Sequence, residues 1–457
     1  MPFSLSKSRV LAGLQCHKRL YLQLTAPALA AAPDAALEFL FAQGHEVGRL
    51  AQQAFPGGVA LDAGRERLDE ALARTAALVR DPAVPAIFEA TFRHDDVLVR
   101  VDVLARAGGD RWRLIEVKSA AGVKQHYLYD VAVQRHVLAG CGVDVESAAV
   151  MHVSRDYVHP GGAPDPARLF AIVDVTAEVR ALEGELPRLL AAMRAALTGG
   201  APPAIATGEQ CARPYRCEFY DHCHIALPAT DTAGHARFAD GLREDLAGLT
   251  YPLGFMDFET LGPAIPRYAG MRPYDAIPFQ WSLHTVRAPG AVPEHADFLP
   301  ADSGDPRRRF LETLIKAAGD TGALVVYSGF EGRQLDRLAA WFPDLAPGVE
   351  RLRARLWDLL PVMRRHVEHP GFLGSFSLKR VLPVMIPTLG YDEMEIAEGL
   401  SAGPVWDRLV RGLADGTLDA AEAARLESAL RAYCRQDTLA MVELVRALAR
   451  GAGVSLG

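Results

Sequence analysis

The sequence predicts an α/β protein of two domains, and three observations carry that reading. The chain has 457 residues, whereas single hydrophobic cores stop growing at roughly 250 to 300 residues, so two cores are expected. Segments such as VLVRVDVL and WRLIEVK alternate apolar and polar residues in the manner of strands. Others, among them residues 179–197 and the run LESALRAYCRQDTLAMVELVRAL, repeat apolar positions at helical spacing. A small mixed sheet flanked by helices is expected in residues 1–230, a linker over 231–249, and a second mixed sheet in 250–457. The Gly and Pro of TGGAPPAIATGEQC and the apolar strand that starts at Tyr251 mark the division.

Composition narrows the class. Half of the residues are hydrophobic and 23% are charged, the balance of a soluble globular protein rather than a disordered or fibrous one. No run of about 18 uncharged apolar residues is present, and charged side chains interrupt the N-terminal stretch where a secretory apolar segment would lie. A cytoplasmic protein without a membrane partner is expected. The formal charge of −7 disfavours a protein that coats nucleic acid by bulk electrostatics. It is compatible with a nuclease, whose metal sites are themselves built from carboxylates. In a reducing compartment the six cysteines are expected to form no structural disulfides, and clustered cysteines there point to metal.

Three constellations carry chemistry. In the first, strand periodicity puts Glu116 and Lys118 on one face of WRLIEVK, and the turn AGGD returns the chain so that Asp102 of VLVRVDVL lies beside them. Carboxylates that hold Mg2+ or Mn2+, next to a lysine that stabilises developing charge, suit phosphodiester hydrolysis. Taken alone, an ExK on a strand is also a common surface ion pair. The segment from SKSRVLAGLQCHKRLYL through Asp102 and IEVKSA to Gln134 in YDVAVQRHVLAG resembles the RecB-like branch of the PD-(D/E)XK nucleases, with CRISPR-associated relatives. The resemblance implies that Asp102 and Glu116 are metal ligands, Lys118 is the catalytic lysine, and Gln134 supports the site from a helix. The upstream histidine or glutamate of the family would fall to His45 or Glu46, and its tyrosine four residues after the glutamine is here Leu138.

The second constellation is Cys211, Cys217 and Cys223, evenly spaced in CARPYRCEFYDHC, with Cys16 far upstream. Four thiolates complete either a 4Fe-4S cluster or a tetrahedral Zn site, and the residues alone leave both open. The RecB-like resemblance implies the 4Fe-4S cluster, one N-terminal cysteine joining three C-terminal ones. Cys141 and Cys434 each stand alone in an apolar helical pattern and are expected as buried free thiols.

In the third, Asp257 and Glu259 stand two apart in YPLGFMDFETLG, an arrangement costly in an apolar setting unless a cation neutralises it. Tyr433 and Asp437 share a face of a later helix, four residues apart. Together they resemble the DEDDy exonucleases, of RNase H-like fold. That resemblance implies Asp257, Glu259 and Asp437 as metal ligands and Tyr433 as a water-positioning catalytic residue. The ligand of the second motif would be Glu331, which follows Phe330 after the strand ALVVY, with Asp336 as the alternative. An aspartate and a GSFSLK-like stretch before the last motif also fit, and Lys379, Arg380, Arg364 and Arg365 are candidates for phosphate contacts or for a solvated basic face.

The whole chain is similar to a bacterial group of RecB-like nucleases with a C-terminal domain of unassigned function. The expected activity is hydrolysis of nucleic-acid phosphodiesters, DNA before RNA, on single strands or ends, with 3′ to 5′ trimming by the second domain. The alternative is a nucleic-acid binding or redox-sensing protein in which one or both sites are inactive.

Overall fold

The computed structural model describes residues 5–61, 67–224, 234–391, 394, 396 and 399–454. It is a mixed α/β chain in two units, residues 1–228 with 264–274 and residues 229–263 with 275–457. Among the described residues no helix is long and apolar enough to cross a membrane.

The first unit is built on strands β1 (Leu5–Ser6), β2 (Val59–Ala60), β3 (Ala86–His94), β4 (Val97–Gly108), β5 (Arg111–Lys118), β6 (Asp144–Val153) and β7 (Phe170–Asp174). Their order is β2-β3-β4-β5-β6-β7, with β1 pairing alongside β4. The alternation of VLVRVDVL and WRLIEVK around their turn produces the antiparallel β3-β4-β5 meander. From β5 to β6 the pairing is parallel, and the connection is the Gln125–Gly140 helix. That helix buries Val131, Ala132, Val133, Val137 and Leu138 in one core with Leu104, Trp112 and Leu114. Leu138, fully buried, is therefore a packing residue.

The second unit adds β8 (Arg237–Phe238), β9 (Leu253–Leu261), β10 (Ile277–Val286), β11 (Glu294–Phe298), β12 (Leu324–Val326), β13 (Leu356–Asp358) and β14 (Val367–Glu368). The main sheet runs β11-β10-β9-β12-β13, which is 3-2-1-4-5 in chain order. β9, β10 and β11 are antiparallel neighbours, whereas β12 and β13 run parallel to β9. Its central place pairs β9 on both edges, and other elements cover both of its faces. Met256 and Phe258 point into a core with Phe310, Leu314 and Leu335, and the alternate residues face the long Ala420–Gly451 helix, where Cys434 touches Asp257.

Two expectations change. Residues 179–197 form two helices, Thr176–Glu183 and Leu186–Thr198, because Pro187 has no amide to continue the first and sits in the opening turn of the second. Of the expected linker 231–249, residues 231–233 lie outside the described residues. The remainder belongs to the second unit: β8 pairs with β14, and the Leu242–Ala247 helix buries Leu242 and Leu246.

Gly322, in the turn before β12, has φ of +82°, and a Cβ there would overlap the Pro252 carbonyl oxygen. Gly322→Ala should therefore cost about 2–3 kcal/mol. Gly416→Ala, at φ +72° with open space around it, should cost only about 1–2 kcal/mol of left-handed backbone strain. Denaturant midpoints of the two variants check the difference, and equal losses would refute the clash.

Candidate functional site

In the first unit the sheet and the Gln125–Gly140 helix bring Asp102, Glu116, Lys118 and Gln134 together. Lys118 Nζ donates to Glu116 Oε1 at 2.7 Å and also pairs with Asp130. Gln134 Nε2 donates to Glu116 Oε2 at 2.6 Å. The Asp102 carboxylate accepts the Val117 amide at 2.7 Å, which locks it to the strand that carries Glu116 and Lys118.

Three further residues belong to this group and were not singled out in the sequence. Lys7 opens the Lys7–Gln15 helix and donates to both Glu116 oxygens at 2.9 and 3.1 Å, with Asp130 at 3.3 Å. Asp130 stands four residues before Gln134, one turn away on the same helix face, a spacing visible in YDVAVQ. Glu89 adopts a left-handed φ of 57° inside β3, a strained conformation for a non-glycine residue that no sequence pattern announces. Of His45 and Glu46, His45 acts electrostatically on Glu89.

Two lysines here face four carboxylates, and the carboxylates respond differently. Burial raises the pKa of Asp102, to about 7, with the Glu116 charge adding to it. Burial likewise raises Asp130. At Glu116 burial works in the same sense, but Lys118 and Lys7 outweigh it and hold the carboxylate well below the usual range. Burial opposes the charge on both lysines, and the surrounding carboxylates more than offset it. Three hard oxygen donors of this kind fit Mg2+ or Mn2+.

The four cysteines also converge. Cys16 is the extended residue separating the Lys7–Gln15 and His17–Thr25 helices. With Cys211, Cys217 and Cys223 it lines one small pocket, beside Leu22, Phe219, Lys18 and Arg19. The helical pair is tied to the cysteine-rich segment by Gln15, which donates to the Gln210 and Tyr215 carbonyls at 2.7 and 2.8 Å. Arg19 adds an ion pair to Glu218 at 2.9 Å. Burial raises the Cys217 thiol, and the Cys16 sulfur contributes in the same direction. The donor set fits a thiolate-held metal group. Cys141, expected to be buried, is exposed instead, because it falls just past the end of the Gln125–Gly140 helix rather than on its packed face.

The second unit gathers Asp257, Glu259, Glu331 and Asp437, which are spread over 180 residues of sequence. Asp257 and Glu259 occupy one face of β9. Glu331 lies in the first turn of the Phe330–Trp341 helix, and Tyr433 and Asp437 project from the Ala420–Gly451 helix. All four carboxylates are pushed up, each by burial first. Glu259, Glu331 and Asp437 are less than 9% exposed, and Glu331 Oε2 has no hydrogen-bond partner among the described residues. Asp336 instead lies at the surface, paired with Arg353 at 2.9 Å.

Other side chains complete this site. Tyr391 donates to Asp437 Oδ1, and Tyr433, one turn before Asp437 on the same helix, opposes the upward shift of its carboxyl. Lys379 Nζ sits 4.9 Å from the centre of the Tyr433 ring and 5.4 Å from that of Tyr391. Its charge opposes the upward shifts of Glu259 and Asp437, so Lys379 faces the carboxylates. Arg364 acts on Asp358 at the end of β13, while Arg365 pairs with Asp245 and Arg380 is exposed. Cys434 is buried as expected, but its Sγ lies 3.6 Å from Asp257 Oδ2. The unshared charge and the unpartnered Glu331 oxygen fit a divalent cation.

A family model described as a domain of unknown function (DUF2779) matches residues 254–377. That span contains Asp257, Glu259 and Glu331 and stops before Tyr433 and Asp437. No curated protein and no solved structure matches the chain.

Asp437 is raised to about 6 and Glu331 to about 8. A raised carboxyl binds its proton more tightly in the folded chain than in the unfolded one. Its stabilising contribution is complete below the unfolded value of about 4 and is lost as pH rises through about 6 and about 8. A bound divalent cation displaces those protons and offsets the loss. Thermal stabilisation by Mn2+ should therefore be larger at pH 8 than at pH 5, and shrink in Asp437→Asn. A pH-independent shift in differential scanning fluorimetry would refute cation binding at these carboxylates.

Proposed function

We propose that this chain is a metal-dependent nuclease with two sites, a RecB-like PD-(D/E)XK site in the first unit and a DEDDy-type, RNase H-like exonuclease site in the second. The observation that carries the reading is the convergence of Asp257, Glu259, Glu331 and Asp437 in one buried group with Tyr433 beside it. The 3-2-1-4-5 mixed sheet, with its acidic pair on the central first strand, supports the RNase H-like reading. The meander that presents Asp102, Glu116 and Lys118, backed by Gln134, supports the other.

In the second unit Asp257, Glu259, Glu331 and Asp437 would hold Mg2+ or Mn2+, and in the first Asp102 and Glu116 with Asp130. Such ions polarise a phosphoryl oxygen and lower the pKa of a bound water. The protein's own groups do the rest. Tyr433, one helical turn from Asp437, orients a water for attack. Lys379 offers an ammonium to a backbone phosphate, and Lys118, held between Glu116 and Asp130, stabilises charge that develops on the phosphoryl group. Cys16, Cys211, Cys217 and Cys223 would hold a 4Fe-4S cluster, with zinc as the competing occupant. Its place between the first helices and the cysteine-rich segment supports a structural role. The substrate is nucleic acid, in the first instance single-stranded DNA or DNA ends.

Asp257→Ala or Asp437→Ala should abolish stepwise 3′ to 5′ trimming of end-labelled DNA, and Glu331→Gln should remove most of it. Tyr433→Phe should cost less, since it takes no charge from the site. Lys118→Ala should abolish only the cleavage carried by the first unit, because the two carboxylate sets are separate. Wild-type product ladders from all of these variants would refute the proposal.

Protein purified anaerobically should be brown and contain iron, and Cys16→Ala should lose both the colour and stability. A colourless protein with stoichiometric zinc would overturn the cluster assignment.

A further inference from the structure

The carboxylates of the second unit are not the only donors aimed at one point. Among the described residues, Asp257, Glu259 and Cys434 form a group whose ligand atoms all lie within 4.8 Å of one another. Cys434 is fully buried, and its Sγ is 3.6 Å from Asp257 Oδ2 and 3.9 Å from the Asp257 carbonyl oxygen. A cation at about 2.3 Å from a thiolate and about 2.0–2.2 Å from a carboxylate oxygen, in tetrahedral geometry, separates the two ligand atoms by about 3.5 Å. The observed 3.6 Å between Cys434 Sγ and Asp257 Oδ2 needs almost no adjustment. Independently, Glu331 Oε2 is buried without a hydrogen-bond partner among the described residues, and the Glu331 charge acts on both Asp257 and Glu259 from a different element.

We propose that Cys434 is a further metal ligand beside Asp257 and Glu259, and that its sulfur lets this site take a thiophilic divalent cation of the zinc class in addition to the Mg2+ or Mn2+ that the carboxylates would hold. The inference rests on the reading of Asp257 and Glu259 as cation ligands and adds a further ligand to them, together with the class of ion that ligand favours. Soft sulfur favours Zn2+ and Cd2+, whereas three oxygens alone would suit Mg2+ or Mn2+. Binding deprotonates the thiol, and the proton leaves to solvent. The opposing explanation is that the thiol only donates a weak hydrogen bond to Asp257. Serine would serve that purpose as well, and this separates the two.

The test is a Cd2+ titration of the full-length protein, followed by the ultraviolet thiolate-to-cadmium charge-transfer band, together with competition by Zn2+ and a parallel Mn2+ titration. Cys434→Ser should lose one cadmium equivalent and its share of the band, and weaken zinc binding at that site by at least about ten-fold. Its Mn2+ affinity should change by much less. The exposed Cys141→Ser serves as control and should match wild type. An unchanged band and unchanged zinc affinity in Cys434→Ser would overturn the inference. Asp257→Asn distinguishes the failures: if it loses Mn2+ while Cys434→Ser keeps Cd2+, only the thiolate ligand is wrong. If Asp257→Asn leaves Mn2+ binding intact, the carboxylate site itself is wrong and the inference falls with it. Should the serine variant not fold, the cadmium NMR resonance of the wild-type protein decides, since a ligand set of one sulfur and two oxygens resonates apart from a four-sulfur set.

Discussion

A carboxylate taken out of water costs several kcal/mol unless an opposite charge or donated hydrogen bonds replace its hydration. Both units bury such groups, and they meet the cost differently. In the first, Glu116 and Asp130 are held by two ammonium groups, and Asp102 by a backbone amide. In the second, four carboxylates face Lys379, two tyrosine hydroxyls and a thiol. The contrast shows in the protonation equilibria. Glu116 is driven down by its lysines, whereas every acid of the second group is driven up. A group so short of positive charge is suited to take a cation, and the uncompensated Glu331 oxygen is its clearest local sign.

The sheets make these concentrations of charge possible. β9 is central and covered on both faces, so its alternate residues can be an apolar core face and an acidic face within one strand. A carboxylate pair on an edge strand would be hydrated and would titrate ordinarily. The Ala420–Gly451 helix lies on the acidic face and supplies Tyr433, Cys434 and Asp437 from adjacent turns. In the first unit the corresponding support is the Gln125–Gly140 helix, whose Asp130 and Gln134 reach the strand ends while Val131, Ala132 and Val133 enter the core.

The cysteine group depends on a different device. Cys16 interrupts a helical segment with extended backbone, and the chain around it is bound to a segment about 200 residues later through Gln15, Arg19 and Gln23. These contacts bring four thiols to one pocket while leaving the helices on either side intact. A group held by all four sulfurs would cross-link the same two segments and restrict the unfolded chain.

Much of this was legible in the sequence because it is local. Strand alternation announced the β3-β4-β5 meander and the shared face of Asp257 and Glu259, and i, i+4 spacing announced Tyr433 with Asp437. The α/β class follows from the same periodicities. What the sequence left open depends on contacts between distant segments. Lys7 reaches Glu116 across 109 residues, and Tyr391 meets Asp437 across 46. Glu331 and Asp336 are five residues apart, and only packing tells which is buried with Glu259 and Asp437 and which pairs at the surface with Arg353. Cys141 and Cys434 read alike in sequence, yet one is exposed past a helix end and the other is fully buried against a carboxylate. Periodicity determines which face of its own element a residue occupies; what that face meets is decided by how the elements pack, and charge compensation and metal affinity depend on that meeting.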